Sequence, residues 1–361
     1  MPTKVQTVNA TIRNGYLTIG NSFPVYVGVT SRRIQYVVDT YFPKPVFKSV
    51  EADTASNVWL NSTTNTFSYL TLVGKYVADN PLVLPSQFML VMQNASLTAL
   101  WNFTAVADSS DLVNPQKGNA LVIFNNVQLS GVISPRGPAG GIFDCSAIPS
   151  WYYSAGGGTY NGVHYAQNTV RGVAPTGSIN TMGPDGIVSV SSSGMYFDGF
   201  KVLNCGLTSA NLALFKTNVV EVQRTSLGYG GVRGIWVIIT TRASIHNNEI
   251  YGSVKFAIDL DANSGPFTLI SNNHIYNNSY QAVFIEQGSQ YSVVSGNDLG
   301  PGNQNSVSFF NNLFVPTAAG HVIHDNKMYE STGAGLNIGS ISCAIGTVII
   351  KQLLNTLKIE S

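Results

Sequence analysis

One short template recurs in the chain and limits what it can become. Gly234-Ile235-Trp236-Val237-Ile238, Ala257-Ile258-Asp259-Leu260-Asp261 and Ala282-Val283-Phe284-Ile285-Glu286 share it, with Ile235, Ile258 and Val283 spaced 23 and then 25 residues apart. Apolar and other residues alternate within each segment at period two, the signature of a strand with one buried face. Between the segments runs a second phrase: His246-Asn247-Asn248-Glu249-Ile250, Ser271-Asn272-Asn273-His274-Ile275 and Ser295-Gly296-Asn297-Asp298-Leu299. A strand repeat of this length with no helical period predicts coils stacked into a β-solenoid.

The composition agrees. Of 361 residues, 44% are apolar, enough for a large core, while 10% are charged, against about 25% in ordinary domains. Glycines number 35 and helix formers are scarce, which suits many strands joined by tight turns. The net charge of +1, with no basic run, gives no support to nucleic-acid binding. No window approaches the roughly 18 uninterrupted apolar residues of a membrane span. Met1 to Gln6 lack the apolar core of a signal peptide, although the composition suits an extracellular or cell-surface protein. Cys145, Cys205 and Cys343 fit no metal spacing and read as buried small residues that allow one bridge.

Three zones follow. Residues 1–75 are the least regular, with strands expected at Val25–Val29 and Tyr36–Val38, and form an N-terminal cap or first irregular turns. Residues 76–343 form the parallel β-helix. Residues 344–361 carry Ile345, Val348, Ile349, Leu353, Leu354 and Leu357 at loose spacings of three and four, which predicts a C-terminal cap made of a short amphipathic helix or a final strand. The loop from Pro149 to Gly183 brings Trp151, Tyr152, Tyr153 and Tyr160, aromatic residues that either stack on sugar rings or pack on one another.

From Ile187 onward the register can be followed. The inward positions are Leu212, Ile235, Ile258, Val283, Val307 and Leu336, then Leu214, Val237, Leu260, Ile285, Phe309 and Ile338, all apolar. Phe200, Thr225, Asn248, Asn273, Asn297 and Asn326 share a slot at a bend, where stacked asparagines bond from coil to coil in a structural role. The outward columns read Ala213, Trp236, Asp259, Phe284, Ser308, Asn337 and Phe215, Ile238, Asp261, Glu286, Phe310, Gly339.

Asp259, Asp261 and Glu286 therefore meet on one outward sheet, flanked by Trp236, Phe284 and Phe310, with Lys255 and Arg233 at the strand entrances. Residues two apart on a strand are separated by roughly 6.5–7 Å, and neighbouring coils by about 4.8 Å. Carboxylates that close raise at least one pKa, and a protonated acid beside an ionised one is the equipment of glycoside hydrolysis. The same three acids also suit Ca²⁺, or simple solubility of a surface. Lys255 and Arg233 read as partners of the acids, as binders of an anionic sugar, or as the base of an elimination. His246 and His324 occupy a turn slot, a poor setting for a metal site.

With the repeats laid out, the chain resembles the pectin-lyase-like superfamily of right-handed parallel β-helices. The resemblance spans residues 80–340 and rests on Asn248-Glu249-Ile250, Asn273-His274-Ile275 and the Gly-Ile and Ala-Ile strand starts. Gly140-Gly141-Ile142-Phe143-Asp144 followed by Trp151-Tyr152 is similar to an early region of polygalacturonase-like enzymes. It implies an all-β, single-stranded right-handed helix and a polysaccharide or glycan as partner. The polygalacturonase motifs Asn-Thr-Asp, Asp-Asp, Gly-His-Gly and Arg-Ile-Lys are absent, so only outward acids on successive strands carry over, onto Asp259, Asp261 and Glu286. The expected activity is polysaccharide hydrolysis, with Asp261 or Glu286 as acid, Asp259 as base or nucleophile, and Lys255, Arg233, Trp236, Phe284 and Phe310 binding substrate. No cofactor is expected. The rivals are a uronate lyase, which would add Ca²⁺, and a non-catalytic glycan-binding or surface protein.

Overall fold

The computed structural model describes residues 8–42, 68–100, 103, 120–147, 158–160, 163–165, 185–206, 210–261, 264–286, 288–309, 320–338, 348–350, 353–354 and 357–359. The described strands stack in parallel columns. One sheet has ten strands in reverse chain order, from Leu357–Ile359 through Asn305–Phe309, Gln281–Ile285, Phe256–Asp261 and Arg233–Ile238 to Leu82–Leu84. Two further columns run beside it. Ser193–Asp198, Asn218–Gln223, Thr241–His246 and Leu269–Ser271 belong to one, and Lys201–Leu203, Ser226–Gly228, Glu249–Tyr251 and His274–Tyr276 to the other. Each coil visits all three, giving a right-handed parallel β-helix, the hand that parallel crossovers take almost without exception.

The stacked interior is the expected one. Leu212, Ile235, Ile258, Val283, Val307 and Leu336 form one wholly buried row, and Leu214, Val237, Leu260 and Ile285 the next. Their registers are direct, Ile235 against Ile258 and Ile258 against Val283. A disulfide joins Cys145 to Cys205 across neighbouring coils, while Cys343, Trp151, Tyr152, Tyr153 and Phe310 lie outside the described residues.

The N-terminal end departs from the sequence expectation, and the C-terminal end takes the strand alternative. Tyr36–Val38 belongs to an α-helix, Ser31–Tyr41, not a strand. Ser31, Ile34, Val37 and Val38 are its buried residues, a spacing of three and four that a helix places on one face. Phe42, just past the helix, meets Phe88 edge-on with ring centroids 5.1 Å apart. At the other end Val348–Ile350, Leu353–Leu354 and Leu357–Ile359 continue the three columns as another coil. Strands of two or three residues, two residues apart in the sequence, reproduce the loose spacing that a short helix would also give.

The asparagine column is a continuous polar wire. Asn248 Oδ1 accepts from the Thr225 N–H (3.0 Å) and hydroxyl (2.8 Å). Asn273 Oδ1 accepts from the Asn248 N–H and Nδ2, both at 3.0 Å, and Asn297 and Asn326 repeat the pattern. Each amide also donates to a carbonyl one coil earlier, Asn248 to Val222 and Asn273 to Ile245, both at 2.9 Å. The residue before each slot is left-handed: Gly199, Arg224, Asn247, Asn272, Gly296 and Asp325 all have φ between 51° and 72°. The Asn-Asn phrase of the sequence thus combines a residue that tolerates positive φ with one that bonds through the bend. A second, shorter ladder, Ser253–Asn278–Asn303, does the same elsewhere.

Asn273→Ala strands the buried N–H and Nδ2 of Asn248 and the carbonyl of Ile245, and should lower unfolding free energy by about 3–9 kcal/mol at roughly 1–3 kcal/mol per orphaned group. Asn272→Gly, next to it, should stay within about 0.5 kcal/mol, since glycine suits that φ. Urea unfolding midpoints of the two variants check the contrast.

Candidate active site

The outward face of the ten-stranded sheet changes character along its length. On the N-terminal coils it is apolar and buried: Ile123, Val188, Val190, Ala213 and Phe215 form a second hydrophobic cluster, with Trp236 and Ile238 packed against it. Phe215 and Trp236 meet edge-on at 5.2 Å. The acids begin where this cluster ends.

At each strand start two successive residues face inward. Ala257 and Ile258 both belong to the core, as do Ala282 and Val283, and a Cβ on Gly234 would stand 2.5 Å from the core atom Cγ2 of Ile250. This double step puts Arg233, Phe256 and Gln281 on the outward side together with Trp236, Asp259 and Phe284. Simple alternation assigns Phe256 to the interior and so overlooks it. The small residue before each Ile or Val, Gly234, Ala257 and Ala282, was the signal available in the sequence.

Arg233 is the hub. Its Nε donates to Asp259 Oδ2, and its guanidinium lies 4.0 Å above the Trp236 ring and 5.6 Å from that of Phe256. Phe256 stacks on Phe284 with centroids 4.5 Å apart. Trp236 Nε1 donates to Asp261 Oδ2 at 3.1 Å. The Glu286 N–H donates to the Leu260 carbonyl at 2.8 Å, which sets Glu286 beside Asp261 on the next coil. The alternation predicts all three acids in water, but the structure grades them. Asp259 is 0% exposed, sealed against Arg233, and its Oδ1 has no hydrogen-bond partner. Asp261 and Glu286 are partly exposed.

The charges respond to this setting. Burial pushes the Glu286 carboxyl up to about 9, with the charges of Asp259 and Asp261 adding to the rise. Burial also raises Asp259, and Arg233 works against it. Lys255, half-buried, is held below the usual lysine range by burial and by Arg233, with Glu286 and Asp259 opposing. Near neutral pH the site therefore holds a protonated Glu286 beside Asp261 and the Arg233–Asp259 pair, bounded by aromatic residues. Among the described residues, no group of three His, Cys, Asp or Glu is gathered in a metal-binding arrangement. A separate cavity of about 500 Å³ near the N-terminal helix, lined by residues including Gln35, Asp39, Asn80 and Asn126, contains one carboxylate and no cation. The remaining histidines serve elsewhere: His246 pairs with Glu221 at 3.1 Å, and His324 with Asp325 at 2.9 Å.

No protein-family model matches the chain, and no curated protein sequence matches it. Among solved structures it is similar to the Family 28 exopolygalacturonase of Yersinia enterocolitica, at 11% identity and a TM-score of 0.54 over 99% of this chain and 78% of that one. It is also similar to the hyperthermoactive exopolygalacturonase of Thermotoga maritima, at 11% identity and a TM-score of 0.51 over 79% and 68% of the two chains. The likeness establishes the fold, a right-handed parallel β-helix.

A carboxyl whose folded pKa lies above its unfolded value favours the folded state at low pH and loses that contribution as pH rises. For Glu286 the window runs from its ordinary value of 4.5 up to about 9. Glu286→Gln keeps the neutral shape and removes the titration. Its melting temperature should equal that of the wild type near pH 4 and exceed it near pH 9 by at least about 2 °C, read by thermal unfolding across that range.

Proposed function

We propose that this protein is an extracellular or cell-surface polysaccharide hydrolase whose proton donor is Glu286 and whose second carboxylate is Asp261. The observation that carries the reading is a neutral Glu286 next to Asp261 in a rim of Trp236 and Phe256, with Phe284 buried and stacked on Phe256. Glu286 gives its proton to the glycosidic oxygen as the C–O bond breaks, and the leaving sugar departs as an alcohol. Adjacent coils about 4.8 Å apart match the roughly 5 Å separation of retaining enzymes, so Asp261 attacks the anomeric carbon and forms a glycosyl-enzyme. Water then displaces the sugar while Glu286, now a carboxylate, takes up its proton. Asp259, wholly buried and paired with Arg233, acts as a positioning residue: its charge keeps Glu286 protonated and anchors the guanidinium that lies over Trp236. Phe310 remains a proposed platform from its place in the outward column.

A second reading, a lyase on uronic acids, draws on the lowered pKa of Lys255, which eases its use as a base in β-elimination.

A polysaccharide panel assayed for reducing ends and for unsaturated-uronate absorbance tests both. The expected result is new reducing ends with retained anomeric configuration, reduced about 10²–10⁴-fold in Glu286→Gln, the usual worth of a general acid. Absorbance at the uronate band would replace the hydrolase with the lyase. No product on any polymer would leave a binding protein.

A further inference from the structure

The turns that leave the acid-bearing strands hold a second feature that the hydrolytic site does not use. At one position of successive coils the backbone is left-handed: Gly194 (φ 67°), Val219 (52°), Arg242 (54°), Phe267 (71°), Tyr291 (50°) and Gly320 (72°). Strand registers on either side align these residues from coil to coil, and the Arg242 N–H donates to the Pro266 carbonyl and that of Phe267 to the Tyr291 carbonyl, both at 3.2 Å. Leu129 and Gln87, both at φ 54°, hold the same position on the two preceding coils, while glycine, at Gly194 and Gly320, is the residue for which the conformation costs least. A bulky side chain here is strained and needs a compensating role.

Packing is not that role. Phe267 is 66% exposed and Tyr291 53% exposed, with Leu269 beside them also at the surface. The Tyr291 ring lies over Gly320, where its Cδ1 is 2.5 Å from the point a Cβ would occupy, so the bare glycine leaves room for the ring. Two neighbouring coils thus hold aromatic rings out to water at an energetic cost, and nothing in the core benefits.

We propose that Phe267 and Tyr291 form a remote sugar-binding subsite, on which an extended polysaccharide that enters the acid site rests further along its length. The proposal builds on the hydrolase reading. Phe267 lies six residues after Asp261, and Tyr291 five after Glu286, on the same coils, so a single glycan can touch both places. Flat aromatic faces suit the apolar faces of pyranose rings, and exposed Arg242, next in the column, adds donors for hydroxyls. Phe267, Leu269 and Tyr291 make a patch of three side chains on two coils, small against the roughly 800 Å² per partner of a stable protein interface, which favours a chain-like ligand over a second copy.

The test is the full-length Phe267→Gly/Tyr291→Gly variant in affinity electrophoresis through gels containing the panel polysaccharides, alongside thermal unfolding and sedimentation. Glycine relieves the backbone, so the expected melting temperature is equal to or above the wild type, while retention by the polymer weakens at least tenfold. Cleavage of oligosaccharides too short to reach the turn should be unchanged. Wild-type retention of the double variant overturns the subsite and leaves the hydrolase reading intact. A lowered melting temperature overturns it too, by showing a packing role, and so does a wild-type dimer that the variant loses. Retention that depends on the two rings, with no cleavage of any polymer, keeps the subsite and sinks the hydrolase. A wild-type protein retained by no polymer sinks both.

Discussion

Every coil of this protein satisfies its backbone through the coil above and the coil below. That constraint drives the rest of the structure. In a closed sheet the polar groups pair within one layer, but here a strand such as Arg233–Ile238 finds its partners in Ala210–Phe215 and Phe256–Asp261. Corners are where such a ladder would fail, because the backbone turns and its N–H groups lose their neighbours. The stacked side chains of Thr225, Asn248, Asn273, Asn297 and Asn326 take over those groups. A buried amide with both its donor and its acceptor used is stable where a half-satisfied one is costly. The polar wire is thus as necessary as the aliphatic stack.

The same constraint makes a site possible. In-register stacking brings residues separated by a full repeat to within one strand spacing, so Asp261 and Glu286 become neighbours without any loop having to fold around them. The apolar cluster of Val188, Ala213 and Phe215 on the outward face adjoins them and lowers the local dielectric. Charged groups at its edge are therefore perturbed, Glu286 upward and Lys255 downward. Arg233 moderates the result by pairing with Asp259 and by lying across Trp236. The arrangement combines a rigid scaffold with a neutral acid, the pairing that proton donation to a leaving group requires.

Strain enters at the turns. The left-handed column through Arg242, Phe267 and Tyr291 places aromatic rings where glycine would be easier. Side chains held this way are rigid and presented to solvent, which suits contact with a long, flexible ligand because little ordering is left to be done on binding.

Much of this was legible in the residues. The repeat spacing and the period-two alternation determined the solenoid, because a strand's side chains alternate faces whatever surrounds it. The Asn-Asn phrases marked the bends, and the outward columns named Asp259, Asp261 and Glu286. Other features needed the third dimension. Tyr36–Val38 is β-rich locally and yet helical, because Ile34, Val37 and Val38 gain more by burying one helical face over the end of the solenoid. The double inward step at Ala257–Ile258, which turns Phe256 outward, depends on how small residues fit the corner. The grading of three similar carboxyls into buried, paired and partly exposed was decided by tertiary structure alone, since burial and charge neighbours are properties of the assembled coils and no local pattern encodes them.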